Sequence, residues 1–148
     1  MKTIAALTAS LVALGFATAA QAADPEPTLP PTYIVHKLTA DGIALRSLEA
    51  EKGAYEARVE ATDGTIVKVG IDPQTADLTD AYSHARARKA EGPAPKVSAA
   101  DAIQTAATTG YWDIREVELE KGVWEIKARD DRGRSTTMEV DATTGALR

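Results

Sequence analysis

The stretch VELEKGVWEIKARDDRGRSTTMEVDATTG, residues 117–145, decides the fold of this chain. Three short runs in it alternate with a period of two, and one face carries the mainly apolar residues Val117 and Leu119, then Trp124, Ile126 and Ala128, then Thr136, Met138 and Val140. A period of two places successive side chains on opposite faces of a strand. Gly122 and Gly133 separate the runs, where short hairpin turns need a positive φ angle. The pattern predicts a three-stranded antiparallel sheet with one apolar and one polar face.

The same pattern occurs a second time, earlier in the chain. Sliding the sequence by 69 residues lays residues 45–79 over residues 114–148 without a gap. Ten of the 35 aligned positions are identical, and the turn residues Gly53 and Gly64 align with Gly122 and Gly133. Agreement over this length, with the turn glycines in register, indicates an internal duplication.

Each copy opens with a helical pattern. In the second copy, Ser98 is placed to cap a helix, Asp101 lies in its first turn and Gly110 ends it. In the first copy, Pro30 and Pro31 precede a shorter pattern whose apolar face is Ile34, Val35 and Leu38. The sequence therefore predicts an α+β fold of two tandem repeats, each a helix packed on a three-stranded antiparallel meander. Because a unit of about 45 residues has a small core, we expect the two halves to pack together and to form one continuous sheet.

The remaining segments set the domain organisation. Residues 1–22 have a basic start, an apolar run and the ending Ala20-Gln21-Ala22, which predicts a secretory signal peptide. Its apolar part is shorter than the roughly 20 residues that a membrane span requires. The predicted order is then a Pro-rich leader (23–31), repeat 1 (32–79), a helix with a linker (80–96) and repeat 2 (97–148). The helix in this linker is expected from Asp80 to Ala90.

Composition limits the kind of protein this is. The chain has no cysteine, so an exported product would be stable through burial alone, without disulfides. Its formal net charge is −5, and loss of Lys2 with the signal peptide makes it −6. This acidity argues against nucleic acid or an anionic membrane surface as the partner. We expect a periplasmic or secreted protein with no stable membrane insertion after cleavage.

Aromatic residues supply the candidate binding site. Trp124 and Tyr55 occupy equivalent strand positions. Both lie on the apolar face of their strand, so both are expected beneath their helices. Tyr111 and Trp112 follow the end of the second helix outside any such pattern. Since Trp and Tyr are enriched in interface hot spots, Tyr111 and Trp112 are the candidate partner-binding residues. Burial at a junction of helix and strand is the alternative for Trp112.

No pattern of catalytic or metal-binding residues emerges. His36 and His84 stand alone, with no cysteine and no second histidine at ligand spacing. Asp130 and Asp131, with Asp113, lack the spacing of a calcium loop and are expected in solvated turns. No serine lies in a strained Gly-x-Ser-x-Gly turn. We therefore predict no enzyme, no cofactor and no metal site. Asp72 and Asp141 are expected to accept backbone hydrogen bonds in the closing turns.

The unit of one helix and a three-stranded meander ending in D-x-x-T-G resembles the PepSY domain family. The second copy carries the resemblance in its helix SAADAIQTAATTG (98–110), its hairpin GYWDIREVELEKGVWEIKARDDRGR (110–134) and its closing MEVDATTGALR (138–148). The first copy, with VGIDPQTADL (69–78), has Ala76 where the family usually has glycine. The resemblance implies an α+β unit without catalytic residues that restrains peptidases or binds other proteins in the cell envelope.

The expected function follows from this resemblance. We expect an exported PepSY-like protein that binds a protein or peptide in the cell envelope, and its target could be a peptidase. Tyr111, Trp112 and the polar face of the sheet are the contact candidates. The alternative is a structural or envelope-stress protein that acts by self-assembly, with no peptidase partner.

Overall fold

The computed structural model describes residues 28–51, 53–81 and 88–148. The predicted signal peptide, most of the leader and His84 lie outside these ranges. The described residues form two helices and eight strands: α1 (Pro31–Ala40), β1 (Ala44–Glu51), β2 (Ala54–Glu60), β3 (Thr65–Ile71), β4 (Leu78–Ala81), β5 (Arg88–Lys89), α2 (Ala99–Ala107), β6 (Asp113–Glu120), β7 (Val123–Arg129) and β8 (Ser135–Asp141).

The strands form one antiparallel sheet in the order β4-β3-β2-β1-β6-β7-β8, with β5 also paired to β3. Strands β1 and β6 join the halves through the pairs Ser47–Glu118, Leu48–Val117 and Glu49–Glu116. The predicted α+β class and the continuous sheet are confirmed.

The sheet differs from the prediction between the two copies. The sequence predicts a helix from Asp80 to Ala90. This prediction is wrong at both ends of the segment that the structure describes, because Asp80 and Ala81 belong to β4 and Arg88–Lys89 forms β5. Residues 82–87 lie outside the described residues. Strands β4 and β5 both pair with β3, whose backbone N–H and C=O groups would otherwise be unpaired at the edge of the sheet. At Ala81, Arg88 and Lys89 this pairing outweighs a high intrinsic helical propensity, and the first half has more than three strands.

Both helices lie on the apolar face of the sheet. Helix α1 buries Ile34, Val35 and Leu38, and α2 buries a mainly alanine face. Burying one large aliphatic side chain contributes roughly 1.5–3 kcal/mol. Beneath the helices, Trp124 is fully buried and Tyr55 is nearly so, as predicted.

The start of each helix is fixed in the same way. The Trp124 Nε1–H donates to the carbonyl oxygen of Val97 at 2.9 Å, and the Tyr55 hydroxyl donates to that of Leu29 at 2.7 Å. The backbone N–H groups of Leu29 and Val97 in turn bond to carbonyls in the closing turns, Pro73 at 2.7 Å and Ala142 at 3.0 Å. An aromatic residue on a strand and the closing turn thus hold the residue that precedes the N-cap of each helix.

The turns that close β3 and β8 share one geometry. Each turn aspartate accepts two backbone N–H bonds through Oδ1, and the donors are Gln74 and Thr75 for Asp72, and Thr143 and Thr144 for Asp141. The predicted turn role of both aspartates is confirmed. Ala76, in the first turn, has a φ angle of 60°, and the equivalent Gly145 has 74°. An alanine therefore occupies a left-handed position that usually requires glycine.

Exchanging the residues at this position should affect the two turns unequally. Gly145→Ala introduces left-handed strain of roughly 1–2 kcal/mol and is expected to lower the free energy of unfolding by about that amount. Ala76→Gly removes such strain but also removes a fully buried methyl group, worth about 0.8 kcal/mol, so its net effect should be near zero. Urea unfolding of both variants measures the difference. Equal losses of stability in both would contradict this account.

The closing turn of β8 should also make the free energy of unfolding depend on pH in the acid range. Hydrogen bonds from the Thr144 and Thr143 backbone N–H groups and the Arg148 guanidinium lower the pKa of Asp141 from 3.8 to about 2. Because the folded pKa lies below the unfolded one, this stabilisation is complete above about pH 4 and is lost as the pH falls toward about 2. Asp141→Asn keeps an acceptor oxygen but does not titrate, so its stability should change less over this range than that of the wild type.

Thermal unfolding between about pH 5 and about pH 2 tests the acid dependence. Asp131→Asn, in an exposed turn, is the matched control and should follow the wild type. An Asp141→Asn variant with the same acid dependence as the wild type would refute the role of this carboxylate.

Candidate protein-binding surface

The connection from helix to strand differs between the two copies. Equivalent helix residues of the two copies are 68 positions apart in the sequence, since the helices begin at Pro31 and Ala99. Equivalent strand residues are 69 positions apart. The second connection must therefore contain one additional residue. Two residues lie between Gly42 and Leu45, but three lie between Gly110 and Ile114: Tyr111, Trp112 and Asp113.

The structure separates the two predicted contact residues. Tyr111 is half-buried and packs against the hydrophobic core, whereas 65% of the Trp112 surface is exposed. The Ile114 N–H donates to the Trp112 carbonyl at 3.0 Å, so the chain turns tightly here before β6 continues. Trp112 therefore lies on the surface, whereas Tyr111 packs against the core.

Trp112 borders a groove of about 630 Å³ between the two helices. Its other lining residues are Thr32, Tyr33 and His36 from α1, Ile103, Gln104 and Ala107 from α2, and Ile114 from β6. Tyr33 is 51% exposed and adds a second aromatic side chain. Sequence reasoning did not identify Tyr33, although a large aromatic residue outside the face formed by Ile34, Val35 and Leu38 was a signal available in the sequence.

The groove exposes two aromatic side chains, Trp112 and Tyr33, next to charged residues. Exposed Trp and Tyr side chains offer a large apolar area with a polar atom at the edge, which suits them to interfaces. An exposed ion pair between Asp113 and Arg115, at 2.6 Å, stands beside Trp112. Apolar aromatic contacts bordered by exposed charges resemble the core and rim of an interface.

The polar face of the sheet, the other predicted contact surface, lies opposite the helices. One row of paired residues crosses six strands from β3 to β8, and its members in order are Lys68, Arg58, Ser47, Glu118, Glu125 and Glu139. Burial raises the pKa of Glu118, Arg58 opposes this rise, and nearby glutamates add to it. The glutamates are therefore close enough to disfavour one another's charge.

Within residues 28–51, 53–81 and 88–148, no group of three or more His, Cys, Asp or Glu side chains could hold a metal ion. Asp130 accepts hydrogen bonds from the backbone of Arg132 and from Arg134, and Asp113 pairs with Arg115. These carboxylates have protein partners of their own. His36 lies exposed on α1.

Comparison with known proteins gives a family. The model of the PepSY family described as "Peptidase propeptide and YPEB domain" matches residues 2–82 and, separately, residues 78–147. Neither the curated proteins nor the solved structures contain a significant match. None of the helices in the described ranges is long and apolar enough to cross a membrane. PepSY domains are propeptide-like, typically non-catalytic and typically found in exported proteins. With two tandem matches that together cover nearly its whole length, the chain belongs to the PepSY family.

Proposed function

We propose that this chain is a periplasmic or secreted PepSY protein that binds another protein or peptide of the cell envelope through Trp112 and the groove beside it. The partner that fits the family best is a peptidase, whose activity the protein would restrain. Each repeat, a helix over its own strands, serves as a scaffold in this proposal. The observation that carries it is the exposure of Trp112.

The energy available at this corner supports binding. A fully buried tryptophan removes 150–250 Å² from water, which corresponds to about 4–6 kcal/mol at roughly 25 cal/mol per Å². About two-thirds of the Trp112 surface is accessible to a partner. Tyr33 lies in the same groove and enlarges the apolar contact. A side chain inserted between α1 and α2 could therefore cover two aromatic rings at once.

The family supports a peptidase as the partner, and the pattern of residues 1–22 supports export. A propeptide domain acts by binding the peptidase that it accompanies, and the family description names peptidase propeptides. Binding of this kind requires a complementary surface and no catalytic group. The pattern of residues 1–22, ending in Ala20-Gln21-Ala22, predicts export.

Replacing the two tryptophans separates the surface from the core. Trp112→Ala should change the free energy of unfolding by about 0.5 kcal/mol or less, as is usual for exposed positions. Trp124→Ala should lower it by about 3–5 kcal/mol, because it opens a cavity beneath α2 and removes the hydrogen bond to Val97. Urea unfolding measures both. A comparably large loss in Trp112→Ala would show that Trp112 belongs to the core.

Affinity capture tests the proposed partner. Residues 23–148 would be used as bait in a periplasmic extract, in parallel with Trp112→Ala and with Leu78→Ala, which alters another exposed apolar residue. We expect an envelope peptidase on the wild-type and Leu78→Ala baits, reduced at least tenfold on Trp112→Ala, because a hot-spot residue contributes about 2 kcal/mol or more.

The purified peptidase should then lose activity on addition of the wild-type chain and lose less with Trp112→Ala. Capture that is equal on all three baits would exclude the Trp112 corner. A captured peptidase that keeps full activity would exclude restraint while leaving binding intact.

A further inference from the structure

One row of residues on the polar face of the sheet has a charge polarity that runs across both halves. Along the row from β3 to β8, Lys68 and Arg58 lie in the first half, and Glu118, Glu125 and Glu139 lie in the second. Ser47 lies between them, paired with Arg58 on one side and Glu118 on the other. The row therefore changes from positive to negative where the halves join.

Neighbouring residues change the charge at both ends, and Glu49 and Glu56 add negative charge to the first half of the face. Arg88 and Lys89, on β5, border the same face at its positive end. Glu116, on β6, adds negative charge in the second half, although Lys127 bonds to it at 2.8 Å. Arg58 pairs with Glu118 at 3.2 Å, and Lys68 pairs with Glu56. In the part of the chain that the structure describes, Glu125 and Glu139 have no ion-pair partner, so the negative end is the less neutralised of the two.

We propose that this face binds a second copy of the same chain, with the two faces related by a two-fold axis along the strands between β1 and β6. Rotation about this axis reverses the order of the row. Lys68 then lies over Glu139 of the second copy and Arg58 lies over Glu125, while the buried Ser47 lies beside the axis, below Glu118 of the second copy. Every charged contact is made twice, as two-fold symmetry requires.

Charge complementarity favours this occupant over others. A cationic peptide would match only the second half of the row, and an anionic peptide only the first half. A partner that matches the whole row must present the reverse polarity over six strands. The face itself presents that polarity after the two-fold rotation.

The area of the face is consistent with a weak dimer. Six strands about 4.8 Å apart and seven residues rising about 3.4 Å each span roughly 24 by 24 Å, or about 600 Å² per protomer. The total, about 1,200 Å², is at the lower end of specific interfaces. Because Lys, Arg and Glu side chains form the contact, we expect micromolar affinity that falls steeply with salt.

Complementary charge reversals test the proposal. Lys68→Glu and Glu139→Lys each place like charges in contact in a symmetric dimer, so each variant alone should be monomeric in sedimentation experiments at about 50 mM salt, where the wild type dimerises. In an equal mixture, each residue 68 meets a residue 139 of opposite charge. The mixture should therefore regain a dimer with affinity within about tenfold of the wild type, a difference of about 1.4 kcal/mol.

Controls keep the outcome decisive. Lys96→Glu and Asp131→Lys make the same charge changes at exposed positions away from this face and should dimerise like the wild type. Lys68→Gln and Glu139→Gln remove the charges without reversing them and should weaken the dimer even if a reversal variant fails to fold.

A wild-type chain that stays monomeric at low salt and millimolar concentration would overturn the proposal. So would a dimer that is unaffected by these changes, or a mixture that does not recover. Trp112→Ala should leave the dimer intact, so failure here and failure of the proposed partner binding are distinguishable.

Discussion

The pairing of β1 with β6 is the constraint on which the rest of this structure depends. Only three residue pairs make it, and the central one, Leu48 with Val117, is almost fully buried. One flanking pair places Glu49 directly opposite Glu116, an arrangement of like charges that destabilises a sheet. Lys127 bonds to Glu116, and Arg58 reaches across the joint to Glu118. Apolar burial at the centre and the Arg58–Glu118 ion pair thus hold together halves that would each have a small core alone, while Lys127 offsets the charge of Glu116 from within the second half.

Much of this architecture could be predicted because it rests on local chemistry that occurs twice. The alternation that begins at Val117 places Trp124 in the core, and the spacing of Asp141 from Thr144 produces the closing turn. Strands β4 and β5 could not be predicted in this way, because what orders them is the edge of β3, which is distant in sequence. The groove was missed for a similar reason. Tyr33 and Trp112 come together only when α1 and α2 pack on the same sheet.

The departures from symmetry between the halves are as informative as the repeat. Turn geometry is kept even where the residue changes, as Ala76 and its φ angle of 60° show. The helix-to-strand connection is not kept, and the additional residue there coincides with the exposed Trp112. Arg46 and Arg115 are equivalent and lie at the same irregularity of β1 and β6, yet Arg46 is buried against Glu60 while Arg115 is exposed beside Asp113. The closing turns are shared between the halves, whereas the helix-to-strand connection and the surroundings of Arg46 and Arg115 differ.

Both candidate surfaces require the two halves together. The groove takes Tyr33 from the first helix, and Ile103 and Trp112 from the second half. The charged row on the opposite side of the sheet has its cations in one half and its anions in the other. A single PepSY unit would have neither an inter-helix groove nor a row with cations at one end and anions at the other. Duplication therefore does more than enlarge the core, because the joint at Leu48 and Val117 creates one composite surface on each side of the sheet.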